Sequence, residues 1–123
     1  MRIILCFLLS LAAAPAWAEW VEVAATDAST FYINSASIRK NGNFRKVWVI
    51  QDLKQRDENG VRSRRVLDEI DCKEERRRFL AISSHSEPMA GGETLSSKDG
   101  VSEWNAIPPD STAETMLQRV CAK

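Results

Sequence analysis

The 123-residue chain has one histidine, three cysteines and no excess of either charge, with 17 Lys and Arg against 17 Asp and Glu. Each shortage excludes a class of function. A balanced small domain does not coat nucleic acid by bulk attraction, and neither a charged tail nor interleaved exposed aromatics supply that locally. One imidazole with so few thiolates makes no zinc set, and the carboxylates lack a ligand spacing, so no metal or other cofactor is expected. Gly91-Gly92-Glu93 is a turn and not a phosphate loop, because no lysine or helix follows it. No apolar run is long enough for a bilayer core of about 30 Å, the best being Ile3 to Leu11. Internal repeats, low-complexity stretches and interdomain linkers are missing too, which leaves one domain with one core.

That apolar run belongs to a leader. Arg2 gives the positive start, Ile3 to Leu11 the apolar middle, and Ala16-Trp17-Ala18 a small-x-small cut site before Glu19. Residues 1–18 are read as a cleaved signal peptide and residues 19–123 as the mature domain, exported to the periplasm or onward to the cell surface or medium. Cys6 lies inside the leader without the small residues before it that a lipoprotein signal needs, so no lipid anchor is predicted. Arg2 leaves with the leader, which puts acids one ahead of bases. Two cysteines remain, Cys72 and Cys121, and in an oxidising compartment they admit one connectivity. Closing a loop of about 50 residues is worth roughly 4 kcal/mol in the chain-entropy model, a useful amount for so small a domain.

Extended patterns dominate the mature chain until its last dozen residues. Trp20 to Ala25 opens with a short strand, and Ser29 to Asn34 (STFYIN) makes a second. Ser35 to Ile38 predicts one helical turn leading into the Asn41-Gly42-Asn43 turn. Phe44 to Lys54 is the strongest strand: Phe44, Trp48 and Ile50 point one way, and Val47, Val49 and Leu53 the other. Asp57 to Gly60 turns into a return strand, Arg62 to Lys73, in which Val66, Asp68, Ile70 and Cys72 share a face. Arg76 to Ser84 follows, then Glu87 to Gly92 as an irregular loop and Thr94 to Ser97 as a short edge strand. Pro108-Pro109 stops the ladder.

The final segment starts with a capping box, Ser111-Thr112-Ala113-Glu114. Ala113, Met116, Leu117, Val120 and Cys121 then form one apolar helical stripe. A helix this short is marginal alone, so it must lay that stripe on a sheet face, where Cys121 meets Cys72. The predicted fold is α+β: a twisted antiparallel sheet of about five to six strands, with one C-terminal helix tethered to a face by the disulfide.

Candidate chemistry is sparse. His85 has Ser84 and Ser86 as neighbours, but adjacent strand residues point to opposite faces, so neither makes a nucleophile–base pair. Asp68, Glu69 and Asp71, with Asp52 beside them, read as cross-strand balance for Arg62, Arg64 and Arg65 and not as catalytic acids. The basic residues are the better candidate. Arg62, Arg64 and Arg65 lie on one strand, and Lys73, Arg76, Arg77 and Arg78 follow the next corner. Alternate members of both sets could line one face and hold a sulfated glycan, an acidic protein segment or an anionic envelope polymer. Glu58, Asp68, Glu69, Glu74 and Glu75 would neutralise them locally. Trp20, Trp48 and Trp104 are read as core or near-core groups.

The chain resembles the surface-adhesin protein E family. Trp20, FYIN at 31–34 with Ser37-Ile38, KVWVIQDL at 46–53, IDC at 70–72, RRFLAISSHSEPMAGGE at 77–93, W-x-x-I-P-P-D-S at 104–111 and Cys121 carry the resemblance in order. It implies a bacterial envelope protein with an antiparallel sheet and a helix tethered to its concave face. It also implies an adhesin role, since named members capture host matrix and plasma proteins. The expectation is a non-enzymatic, exported binding module for a host extracellular-matrix or plasma protein, or for an envelope polymer or protein, and compatible with a homodimer. The alternative is a periplasmic structural, housekeeping or inhibitory protein with no host ligand.

Overall fold

The computed structural model describes residues 19–122. The leader expected over residues 1–18, with its cut after Ala18, lies outside the described residues; Glu19 is the first of them. Eight strands and one helix follow in order: β1 (Trp20–Ala25), β2 (Ser29–Asn34), a 3-10 turn (Ser35–Ser37), β3 (Arg39–Asn41), β4 (Phe44–Leu53), β5 (Ser63–Asp71), β6 (Arg76–Glu87), β7 (Gly91–Asp99), β8 (Asn105–Ala106) and α1 (Thr112–Cys121). All pairings are antiparallel. The main sheet runs β1-β2-β4-β5-β6-β7, with β3 added beside β4 and β8 beside β6.

The strand count exceeds the five to six expected because β3 and β8 carry no apolar alternation: their sequences are Arg-Lys-Asn and Asn-Ala. β7 is longer than the predicted Thr94 to Ser97 for a related reason. It ends the sheet and is exposed along nearly its whole length, so burial leaves little pattern in its sequence. Glu87 to Gly92 is not an irregular loop. Gly91 N–H donates to the Pro88 carbonyl at 3.1 Å, and Met89 and Ala90 have φ of 56° and 60°. That is the type I′ turn that best matches hairpin twist, made here without the usual Asn-Gly.

α1 begins as its sequence directs. Ser111 Oγ accepts the Glu114 amide at 3.1 Å and itself donates to the Pro108 carbonyl at 2.7 Å. Met116, Leu117 and Val120 are buried against Ile33, Val47, Val49, Ile70 and Ile107, with Ala113, Cys121 and Cys72 packed at the margin. Each of those three helix side chains contributes about 1.5–3 kcal/mol of transfer free energy. The Cys72–Cys121 disulfide is formed, with the Cα atoms 5.9 Å apart. Cys72 follows Ile70 on one face of the chain, and both pack with the helix stripe.

The core is aliphatic. Trp20, Trp48 and Trp104 are all partly exposed, so they are not the core groups expected. The reason is parity on β4: the helix covers the side shared by Arg45, Val47 and Val49, and Trp48 stands on the other.

Candidate interaction face

Register across the three central strands sorts every candidate side chain. On the helix-free side four rows run β4–β5–β6: Phe44–Asp71–Arg76, Lys46–Glu69–Arg78, Trp48–Leu67–Ala81 and Ile50–Arg65–Ser83. On the helix side they run Arg45–Ile70–Arg77, Val47–Asp68–Phe79, Val49–Val66–Ile82 and Gln51–Arg64–Ser84. A bulge in the β5–β6 pairing next to Leu67 keeps the two sets in phase.

Alternation therefore divides the basic residues. Arg65, Arg76 and Arg78 share the helix-free face, while Arg64 and Arg77 lie on the other. Arg62 sits at the mouth of the β4–β5 hairpin, where its Nε donates to the Leu53 carbonyl at 2.7 Å. Lys73 is exposed in the β5–β6 turn, and its amide donates to Asp71 Oδ1 at 3.1 Å. Carboxylates meet most of the guanidiniums. Arg64 pairs with Asp57 at 3.2 Å, Arg76 with Asp71 at 3.0 Å, Arg78 with Glu69 at 2.7 Å, and Arg77 approaches Asp68 at 4.0 Å. Such partly solvated pairs are worth about 1 kcal/mol or less each; what they fix is the plane of each guanidinium.

Those planes carry rings. Trp104 is brought across the outer edge of β6 by the segment after β7, where the Ser102 amide donates to the Phe79 carbonyl at 2.9 Å. The Arg76 and Arg78 guanidiniums lie 4.6 and 4.3 Å from its ring centroid, and Phe44 is 5.9 Å away. Two rows along, Arg65 lies 4.9 Å from Trp48. Each such contact is worth about 0.5–1 kcal/mol at a partly exposed site. Within the three central strands Lys46, Arg65, Arg76 and Arg78 face Glu69 and Asp71; carried to the neighbouring strands the same rows add Arg39, Asp99 and Glu22. The result is an aromatic surface with one cation in excess. Burial pushes the Asp71 carboxyl up, but the Glu74 and Lys73 amides and the Arg76 guanidinium outweigh it and hold the group below its ordinary value.

His85 lies at the far end of this face and is buried. Its partner is Ser83, whose Oγ is 2.7 Å from Nε2, with Thr94 Oγ1 3.4 Å from Nδ1. The adjacent serines are not the pair; the two-residue strand period is the sequence signal for Ser83. Burial, then the nearby Arg65 charge, lower the imidazole's pKa. A threonine hydroxyl on Nδ1 cannot stabilise an imidazolium as a triad carboxylate would. Among the described residues no group of three or more His, Cys, Asp or Glu side chains could hold a metal ion, and no helix is long and apolar enough to cross a membrane.

The family model of surface-adhesin protein E matches residues 20–122. The chain belongs to that family. Solved structures of Haemophilus influenzae protein E share the fold. One, a second crystal form, is 16% identical with a TM-score of 0.64, covering 83% of this chain and 96% of that one. Another is 18% identical with a TM-score of 0.62, covering 84% and 83%. Protein E from non-typeable Haemophilus influenzae is 17% identical with a TM-score of 0.59, covering 84% and 75%. No curated protein matches the chain by sequence.

Proposed function

We propose that this chain is exported, cut after Ala18, and acts without catalysis as an adhesin-like binding module whose helix-free sheet face holds an anionic glycan or an acidic protein segment. A host matrix or plasma protein, or an envelope polymer, would supply that chemistry. The observation that carries the reading is the set of four rows in which Phe44, Trp48 and Trp104 alternate with Lys46, Arg65, Arg76 and Arg78. Rings offer stacking surface and guanidiniums offer directed hydrogen bonds, the combination suited to an anionic polymer. Immobilised heparin is the probe. Lys46→Glu/Arg65→Ala should elute at lower salt than wild type, whereas Lys98→Glu on β7 should elute close to it. Equal retention of the double variant and wild type would remove this face from consideration.

A second reading, a periplasmic inhibitory protein with no host ligand, is favoured by one observation. The Met89–Ala90 turn holds two non-glycine residues in the left-handed region, which costs about 1–3 kcal/mol each. It is pinned by Asp52 Oδ1, which accepts the Met89 amide at 2.7 Å, and by Ser63 Oγ, which accepts the Ala90 amide at 2.9 Å. A rigid tip carrying an exposed Met89 suits insertion into another protein's apolar pocket. Protease shaving of intact cells separates the two readings, because the adhesin role requires the mature protein to be cleaved from outside.

A further inference from the structure

Where β3 joins the sheet, the helix-free face holds a hollow of about 140 Å³ lined by Arg39, Asn41, Phe44, Lys46 and Glu69. Complete small-molecule sites run to about 300–1,000 Å³, so this one suits a single unit of a larger ligand. Its walls come from three adjacent strands in fixed register. Arg39 stands opposite Lys46, Asn41 opposite Phe44, and Lys46 in turn opposite Glu69. All three side chains of β3 are exposed, so packing does not dictate what that strand carries here.

Three features of the hollow select its occupant. The first is charge. Like charges directly opposite across an antiparallel pair are destabilising, yet Arg39 and Lys46 occupy such a pair and both are exposed. An anion between them would offset that repulsion, and a guanidinium grips sulfate or carboxylate with two hydrogen bonds. The second is an acceptor. Arg78 Nε donates to Glu69 Oε1 at 2.7 Å, which leaves Oε2 to accept from a ligand O–H. The third is a platform. The Phe44 ring is 36% exposed and lies 5.9 Å from the Trp104 ring, so it offers a flat apolar surface to the C–H face of a sugar. An Asp or Glu side chain of a peptide brings the anion but neither a hydroxyl donor nor a ring. We infer that the hollow is a subsite for one acidic sugar unit, a pyranose carrying a sulfate or a carboxylate. Its anion lies between Arg39 and Lys46, a hydroxyl donates to Glu69, and the ring rests on Phe44. This assignment rests on the reading of the helix-free face as a binding surface, and it selects the glycan over the acidic protein segment.

Two sugars, N-acetylglucosamine sulfated at its primary hydroxyl and glucuronate, test the assignment when titrated separately into the isotope-labelled mature protein. At least one should shift the amides of Arg39, Asn41, Phe44 and Lys46 saturably, and the tighter of the two tells whether sulfate or carboxylate is read. Unsulfated N-acetylglucosamine should bind at least roughly tenfold more weakly, since a hydrogen bond to a charged group is worth about that factor or more. Inorganic sulfate, which has no ring, should also bind more weakly. Arg39→Gln, at an exposed position, should weaken the acidic sugar by about tenfold or more. Phe44→Ala should weaken it too while keeping the preference for the acidic over the neutral sugar. Equal binding of acidic and neutral sugars, sulfate ion binding as tightly as the acidic sugar, or unchanged binding in Arg39→Gln would each overturn the subsite. Hexaglutamate that displaces the sugar at lower concentration than the sugar itself requires would overturn it in favour of an acidic peptide. If heparin retention falls in Lys46→Glu/Arg65→Ala while neither acidic sugar shifts these amides, the subsite fails and the reading of the wider face stands. Heparin retention unaffected in that variant, with the acidic sugar still bound by wild type, would remove the wider face and keep the subsite.

Discussion

Asp68→Asn should make the protein more stable at neutral pH and leave it unchanged in acid. Asp68 is 2% exposed, between Val47 and Phe79 in the ladder. Its Oδ1 has no hydrogen-bond partner, and its Oδ2 is 4.0 Å from the Arg77 guanidinium. Burial raises the carboxyl's pKa, Arg77 lowers it by less, and the result is about 6 against an ordinary 3.8. The folded state therefore holds this proton more tightly than the unfolded chain does. Its contribution is complete below about pH 3.8 and is lost as pH rises through about 6, where ionisation in the buried site costs about 3 kcal/mol. An asparagine never ionises. Urea denaturation of wild type and Asp68→Asn at pH 4 and pH 7.5 should show the stability difference shifting by about 2.5 kcal/mol in favour of the variant at the higher pH, the unfolded carboxyl being already partly ionised at pH 4. Carboxyls shifted the other way, such as Asp71, are common to both proteins and cancel in that difference. A difference that stays constant with pH would refute the burial argument. A wild type that gains on the variant as pH rises would show Arg77 outweighing burial.

Three further outcomes concern the tether and the turn. Cys72→Ser/Cys121→Ser, or reduction of the wild type, should lower stability by up to roughly 4 kcal/mol, the loop-closure value for 49 residues, measured as a shift in the urea midpoint. Ala90→Gly should raise stability by about 1 kcal/mol, because glycine adopts φ near 60° without the steric penalty. Asp52→Ala should lower it by about 1–3 kcal/mol by orphaning the Met89 amide.

Local rules reach some parts of this molecule and not others. Helical spacing alone puts Cys121 on the stripe with Met116, Leu117 and Val120, and strand alternation alone puts Cys72 in phase with Ile70; both placements hold. Strand β4 shows where local rules stop. It is apolar on both sides, so nothing in its sequence says which side the helix covers, and the choice falls to the helix's tether on β5. That choice exposes Trp48 and buries Val47. The division of the arginines was legible by counting from Arg62 and Arg76, but their meeting with Trp104 depends on the crossing after β7. The pairing of β3 beside β4 was hidden altogether, because no apolar signal marks its three polar residues.

The disulfide also decides how the domain answers a pull. The disulfide closes the chain from Cys72 to Cys121, a sequence separation of 49, into a covalent loop, so a force along the chain bypasses the residues between them. β6, β7, β8 and α1 lie wholly inside that loop and add no length when the fold gives way. Only the first five strands can unravel under load. Reduction would release the remainder, roughly 160–180 Å of further extension at the reach of an extended chain. The tether therefore works as a length stop, keeping Trp104 and the guanidiniums of β6 on the part of the chain that carries no tension.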